Sequence, residues 1–221
     1  MVEGKIGFVL PIYKDTELLT EAIPKIRAHY PGSEIIVVAD DKVSMDVGRW
    51  LGAFVPYHSK KIGFGKSLCE GMCLAWYTFN CDYVVIADGD HPFDAIDRFL
   101  EKLKDYDVVV GHESGGWKFS RVMSNMLIRH TLFDDVANPT CGFVVWKSDI
   151  LRKMPWNKIK SNWDAVHPEL LYWAKRCGGK ITECMFDEVP KVRHYVSGRY
   201  FSFAWSMLNL FKEKYIGEWL S

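Results

Sequence analysis

Asp82-Tyr83-Val84-Val85-Ile86-Ala87-Asp88-Gly89-Asp90 is the stretch on which the fold turns. Its five apolar residues stand between two aspartates and show no polar alternation. Such a run reads as a strand buried on both faces, the kind found in parallel sheets. Similar runs lie upstream, at residues 6–10, ended by Pro11, and at 35–39, followed by Asp40-Asp41. Residues 53–57 read as a further strand, and 108–110 as the one after the central run. Segments 16–28, 45–51, 66–79 and 93–104 carry helical spacing between them. The order β-α-β-α-β-α-β-α-β is an α/β pattern, with a doubly wound and mostly parallel sheet. The second half is less regular. Helices are expected at 120–132, 168–176 and 201–220, and short strands at 143–146, 181–185 and 189–192.

Lys and Arg number 28 and Asp and Glu 28, so the formal charge is zero; 48% of residues are hydrophobic and 25% charged. That composition excludes a disordered chain, and the neutral balance argues against a nucleic-acid partner. At 221 residues the chain is expected to form one domain, 1–221. None of the six cysteines forms a C-x₂-C pair, so free thiols in a reducing compartment are expected rather than zinc or staples. Glu3 and Lys5 precede a short apolar run that stops at Pro11, which is no signal peptide. No stretch approaches the ~18 apolar residues of a membrane span. A cytoplasmic protein is the expectation.

In an open α/β sheet, ligands bind beyond the carboxyl ends of the strands. Pro11 to Asp15, Asp40-Asp41, Asp88 to Asp90 and Gly111 to Glu113 fall there, an acidic rim on a neutral protein. Carboxylates cannot grip a phosphate directly, so a divalent cation between them is implied. Asp88 and Asp90, separated by Gly89, can converge once the chain bends away from its strand. Their hard oxygens suit Mg²⁺ or Mn²⁺, which keep waters and bind substrate phosphates. Gly63-Phe64-Gly65-Lys66-Ser67 is not a P-loop, because the position of the first required glycine is Lys60. Its G-x-G turn either offers backbone amides to a phosphate or ribose or is simply a tight helix entry. Lys191, Arg193, His194 and Arg199 crowd one segment, as a phosphate-binding group or a solvated basic loop.

In series, these motifs resemble family 2 glycosyltransferases of the GT-A fold. The resemblance rests on Pro11-Ile12-Tyr13-Lys14-Asp15, Asp40-Asp41, Gly63-Phe64-Gly65-Lys66 with Glu70-Gly71-Met72, and Asp88-Gly89-Asp90. Asn138-Pro139-Thr140-Cys141-Gly142-Phe143, Glu188-Val189-Pro190 and Val192-Arg193-His194 with Ser197-Gly198-Arg199 are similar to the polyprenyl-phosphate sugar synthases of the dolichol-phosphate mannose synthase type. The resemblance implies inverting transfer of a sugar from a GDP- or UDP-linked donor to a polyprenyl phosphate. It places Tyr13 and Asp15 at the base and ribose, with Pro11 in the same motif, and Asp40 or Asp41 at the nucleotide. Gly65 and Lys66 join that donor site. Asp88, with Gly89 between it and Asp90, carries the metal together with Asp90. Arg121, Arg193 and Arg199 stand near the phosphates. Three departures are visible. The family carries two more residues before His-Pro, one often a metal ligand, whereas His91-Pro92 follows Asp90 at once. Lys14 stands where Asn is usual, and Tyr200-Phe201 replaces Ser-Lys.

A phosphate acceptor is already anionic near neutral pH, its second pKa being about 6, and needs no general base. A hydroxyl acceptor needs one, for which Glu169 and Asp164 are the candidates, although both also read as helix N-terminal carboxylates. The alternatives to a lipid-phosphate transferase are a soluble transferase using a protein or glycan hydroxyl, a sugar-1-phosphate nucleotidyltransferase, and a non-catalytic nucleotide-sugar module. In the tail, Ser202, Ser206, Asn209 and Glu213 recur on one helical face. Ala204, Leu208, Phe211 and Tyr215 form the opposite arc, flanked by Phe201, Trp205, Met207 and Trp219. That arc either makes a peripheral contact with the cytoplasmic membrane face or packs on the protein's own sheet.

Overall fold

The computed structural model describes residues 3–114, 128, 136–162, 165–187, 207–210 and 212. Six strands form its sheet: β1 (Ile6–Ile12), β2 (Glu34–Ala39), β3 (Tyr83–Ile86), β4 (Val108–Glu113), β5 (Val144–Lys147) and β6 (Ile181–Phe186). Their order is β2-β1-β3-β5-β4-β6. β1 pairs parallel to β2 and β3, and β4 parallel to β6, while β5 runs antiparallel to both β3 and β4. Five strands therefore deliver their carboxyl ends to one edge. The start of β5 lies at that same edge, because its direction is reversed.

The helices α1 (Thr16–His29), α2 (Lys42–Trp50), α3 (Phe64–Cys73), α4 (Ile96–Lys102) and α5 (Val166–Arg176) follow the expected alternation. α1 buries Leu19, Ala22, Ile23 and Ile26, the i, i+3, i+4, i+7 stripe of a core-facing helix. α2 starts three residues earlier than its apolar pattern suggests, because the Asp41 side chain caps it by accepting from the Ser44 amide at 2.9 Å. α3 passes into a wider π-type turn at Leu74–Thr78, and a short 3₁₀ turn at Phe93–Ala95 precedes α4.

The expected strand at 53–57 is not formed. It is reduced to one bridge, between Phe54 and Ile36, on the outer edge of β2. Phe54 makes both ladder bonds there, its amide to the Ile35 carbonyl at 2.8 Å and its carbonyl from the Val37 amide at 2.9 Å. Two residues on, Pro56 has no N–H with which to continue the ladder. β4 instead runs longer than its apolar core, carrying His112 and Glu113 to the sheet edge. The helix expected at 120–132 is described only at Ile128, which is helical and buried, and the strand at 189–192 lies outside the described residues. In the tail, Met207 and Leu210 are buried in the core while Leu208 is 52% exposed. At the described positions the buried face thus passes through Met207 and Leu210 rather than Leu208. The rest of that helix lies outside the described residues.

No disulfide joins the six cysteines. Burial pushes the Cys69 thiol up to about 12 and those of Cys73 and Cys81 to about 11. Among the described residues no helix is long and apolar enough to cross a membrane.

Phe143, fully buried just before β5, joins the sheet to the edge where the parallel strands end. Its ring lies 4.6 Å from Phe99, 5.4 Å from Phe186 and 4.8 Å from His91, the last nearly coplanar at 14°. Phe143→Ala should cost about 3–5 kcal/mol of stability, read as a fall in the urea midpoint. A loss below about 1 kcal/mol would mean that the surrounding rings close the cavity without strain.

Candidate active site

The edge where the parallel strands end is built from short turns. After β3, Asp88, Gly89, Asp90 and His91 fold back on themselves. The His91 amide donates to the Asp88 carbonyl at 3.1 Å, and the Asp88 amide lies 2.8 Å from His91 Nδ1. The imidazole is held flat against Phe143 and edge-on to Phe186. Gly89 is required by a close approach, since a Cβ there would stand 2.7 Å from Leu18 Cβ in α1. The turn thereby brings Asp88 and Asp90 together, as the D-x-D spacing implies, and adds His91. One ligand atom from each of the three lies within 4.8 Å of the others. Beside Asp88 stands Gly142, where a Cβ would be only 3.2 Å from the carboxylate. Two hard oxygens, an imidazole nitrogen and a neighbour with no side chain fit a divalent cation such as Mn²⁺. His91 is the residue that sequence reasoning missed here. Its signal was the missing pair of residues after Asp90.

Asp40 and Asp41, also on the rim, hold backbone instead. Asp40, its side chain 7% exposed, accepts from the Gly63 amide at 3.0 Å, the Ile62 amide at 3.3 Å and the Ser67 hydroxyl at 3.3 Å. His58 stands beside it, with Nδ1 3.5 Å from Asp40 and Nε2 2.5 Å from the Glu70 carboxylate. Asp40 therefore clamps the loop ahead of α3. Its carboxylate is directed at that loop's amides, where the resemblance puts it at the nucleotide.

Asp41 caps α2 and also accepts from the Lys14 amide at 3.0 Å, tying the turn after β1 to the end of β2. Burial pushes its carboxyl up most strongly. The Ser44 amide and hydroxyl, the Lys14 amide and the Lys14 charge together outweigh burial, and hold it below 3.8.

The G-x-G turn proves to be a packing device. Gly65 is buried, its amide donates to the Asn162 side chain at 2.8 Å, and a Cβ there would meet the Ser161 carbonyl at 2.2 Å. The Gly63 and Gly65 amides are taken up by the Asp40 carboxylate and the Asn162 side chain. Lys66 is exposed. Segment 160–162 is fixed in turn by Glu169, buried in α5, whose carboxylate takes the Lys160 amide at 3.1 Å and the Ser161 amide at 2.6 Å. These amides belong to the loop ahead of α5 and not to the helix's own first turn. Glu169 is occupied as an amide acceptor and is not placed as a general base. Asp164 lies outside the described residues.

Tyr13, 50% exposed, stands past β1 with the Lys61 ammonium 4.1 Å and the Lys14 ammonium 5.3 Å from its ring centre. Pro11 is buried inside β1, and Asp15 sits at the N-terminus of α1. Arg121, Arg193 and Arg199 lie outside the described residues.

No protein-family model matches the chain. It is 25% identical to the undecaprenyl-phosphate mannosyltransferase of Micrococcus luteus, over 79% of each chain. Among solved structures it is similar to the mannosyl-3-phosphoglycerate synthase of Rubrobacter xylanophilus, with a TM-score of 0.76 and 16% identity over 99% of this chain and 76% of that one. It is also similar to the glucosyl-3-phosphoglycerate synthase of Mycobacterium tuberculosis, with a TM-score of 0.74 and 17% identity over 94% of this chain and 78% of that one. That enzyme was solved with Mn²⁺, UDP and glucosyl-3-phosphoglycerate. The chain has the GT-A glycosyltransferase fold. In this fold the Asp88–His91 turn, ending the central strand β3, is the candidate metal centre.

Asp41→Ala should cost about 1 kcal/mol at neutral pH through loss of the cap. Because the folded carboxyl is held low, its contribution is present above the unfolded pKa and lost as pH falls through the folded one. The stability gap between wild type and Asp41→Ala should therefore close on acidification below about pH 4. Thermal melts at pH 7, 5, 4 and 3 measure it, and a gap that stays constant throughout contradicts the assignment.

Proposed function

We propose that this protein transfers a sugar, with inversion, from a nucleotide-diphosphate sugar to a polyprenyl phosphate. The observation that carries the donor half is the Asp88-Gly89-Asp90-His91 turn at the end of β3, within a GT-A sheet. The acceptor half is supported by the likeness to undecaprenyl-phosphate mannosyltransferase and by the motif series from Pro11 to Arg199.

The chemical problem is a diphosphate that gathers negative charge as the sugar–oxygen bond breaks. A bound Mg²⁺ or Mn²⁺, held by Asp88 and Asp90 with His91 beside them, supplies Lewis-acid stabilisation of that charge. Gly142 leaves room at Asp88 for the donor's phosphates. Tyr13 offers a half-exposed ring to the base or ribose, and Lys14 and Lys61 bring two ammonium groups to the same spot. Arg121, Arg193 and Arg199, from the resemblance, complete the cationic surroundings of the phosphates. The acceptor phosphate attacks the opposite face of the anomeric carbon. Peripheral contact between the C-terminal segment and the membrane would bring the lipid within reach.

Incubation with radiolabelled GDP- and UDP-sugars plus short polyprenyl phosphates should put label into the organic phase. Asp88→Asn and Asp90→Asn should each reduce that transfer about 10²–10³-fold and weaken Mn²⁺ binding followed by electron paramagnetic resonance. Full turnover in excess EDTA would overturn the metal assignment.

A further inference from the structure

A buried imidazole stands between two carboxylates beside the loop that leads into α3. His58 keeps only 7% of its side chain exposed. Its Nε2 lies 2.5 Å from Glu70 Oε2, and its Nδ1 lies 3.5 Å from Asp40 Oδ1. Nδ1 is itself buried and makes no hydrogen bond. Asp40 is as deeply buried, at the end of β2, and Glu70 belongs to α3. Among the described residues, His58 is the cationic partner within ion-pair distance of Asp40. Lys60, Lys61 and Lys66, the other charged groups of this loop and of the start of α3, are exposed. The Asp41 carboxylate is turned to α2.

A neutral imidazole carries one N–H and one lone pair. With the N–H at Glu70, the Nδ1 lone pair is left beside the Asp40 carboxylate, in a site largely closed to water. A second proton, on Nδ1, gives each carboxylate a positive neighbour and answers both contacts. Imidazole is the side chain that ordinarily makes this change near physiological pH.

The bridge stands at the root of a loop that reaches the donor side of the site. Asp40 also accepts the Ile62 and Gly63 amides at 3.3 and 3.0 Å, and the Ser67 hydroxyl at 3.3 Å. Between His58 and Gly63 the chain carries Lys61, whose ammonium lies 4.1 Å from the ring centre of Tyr13. Segment 58–63 is thus tied to one carboxylate at both ends, directly at Gly63 and through the imidazole at His58. Loss of the His58 charge leaves Asp40 buried without its counter-ion, which loosens that tie.

We propose that His58, as an imidazolium held between Asp40 and Glu70, is the positioning residue that sets this loop and couples a proton to nucleotide binding at Tyr13 and Lys61. The inference rests on the donor half of the proposed function and is independent of the acceptor. His58 acts through Asp40 and the loop and is not itself a catalytic residue. The sign follows from the charge. Raising the pH removes the proton, so nucleotide affinity falls as pH rises.

The test measures GDP and UDP binding to the full chain by calorimetry in Mg²⁺, from pH 5.5 to 8.5. Wild type, His58→Gln and His58→Arg are compared at each pH, which cancels the titration of the nucleotide's own phosphate. At pH 5.5 His58→Gln should bind about fivefold or more weakly than wild type, and at pH 8.5 the two should agree within about twofold. His58→Arg keeps its charge throughout, so its ratio to His58→Gln should stay constant. Glu70→Gln should move the fall in affinity to lower pH. Nitrogen-15 spectra of wild type should show both His58 ring nitrogens protonated at pH 5.5, with the Lys61 and Gly63 amide signals moving as that proton is lost. Melting temperatures identify a variant that fails to fold, and the wild-type titration needs neither variant. An unprotonated ring nitrogen at pH 5.5, or a His58→Gln deficit that is the same at every pH, overturns the inference and returns His58 to packing. If neither nucleotide binds wild type, the donor half of the proposed function fails instead. The nitrogen-15 titration then decides the bridge alone, since Lys61 and Gly63 signals that move with His58 support it and signals that stay still overturn it.

Discussion

The reversed strand β5 is the constraint on which this site depends. Had β3 and β4 been neighbours in a wholly parallel sheet, their ends would lie one strand spacing apart. Insertion of β5 doubles that separation and, because it runs backwards, delivers its leading turn to the same edge. That turn does three things. Gly142 stands against Asp88, the Asn138 amide fixes Glu183, and Phe143 stacks on His91. The two ends of the edge are thus linked through one short, buried segment. Val144, Val145 and Trp146 are all buried, so this segment is packed on both faces of the sheet.

The acids around the site divide by what meets their oxygens. Asp40, Asp41 and Glu169 accept backbone amides from neighbouring loops. An amide acceptor of this kind costs a fold dearly if removed, because the loop it holds loses its anchor. Together they form a chain of clamps, from Glu169 to segment 160–162, through Asn162 to Gly65, and through Asp40 to Gly63. Asp88 and Asp90 differ, because a turn closed by its own backbone presents them side by side with an imidazole. Carboxylate count alone would have treated all five alike.

Most of the architecture was legible because buried parallel strands announce themselves as unbroken apolar runs. β1, β2 and β3 fell within a residue or two of where those runs lie. The segment at 53–57 was misread because an apolar run says nothing of whether its amides are available, and Pro56 has none. The direction of β5 was hidden for a similar reason, since apolar content does not encode orientation. At the site, the D-x-D pair was visible from spacing, but the roles of Asp40, Gly65 and Glu169 were not. Each is decided by a partner distant in sequence, such as Asn162, which lies 97 residues from Gly65. His112 lay within the rim stretch 111–113, but its pairing with Glu183, 71 residues away, was not legible in the sequence.

The two ends of this sheet edge are built differently. At the β3 end, Asp88, Asp90 and His91 bring two carboxylates and an imidazole together as a candidate cation site. At the β4–β6 end, the His112 imidazole lies 3.3 Å from the Glu183 carboxylate, whose other oxygen accepts the Asn138 amide. The 136–142 turn touches both ends, so any movement that shifts Gly142 at Asp88 also shifts the Asn138 amide that fixes Glu183. The two ends of the edge are in this way mechanically joined through a single five-residue stretch, 138–142, which the Cys141 amide closes on the Asn138 carbonyl at 3.1 Å.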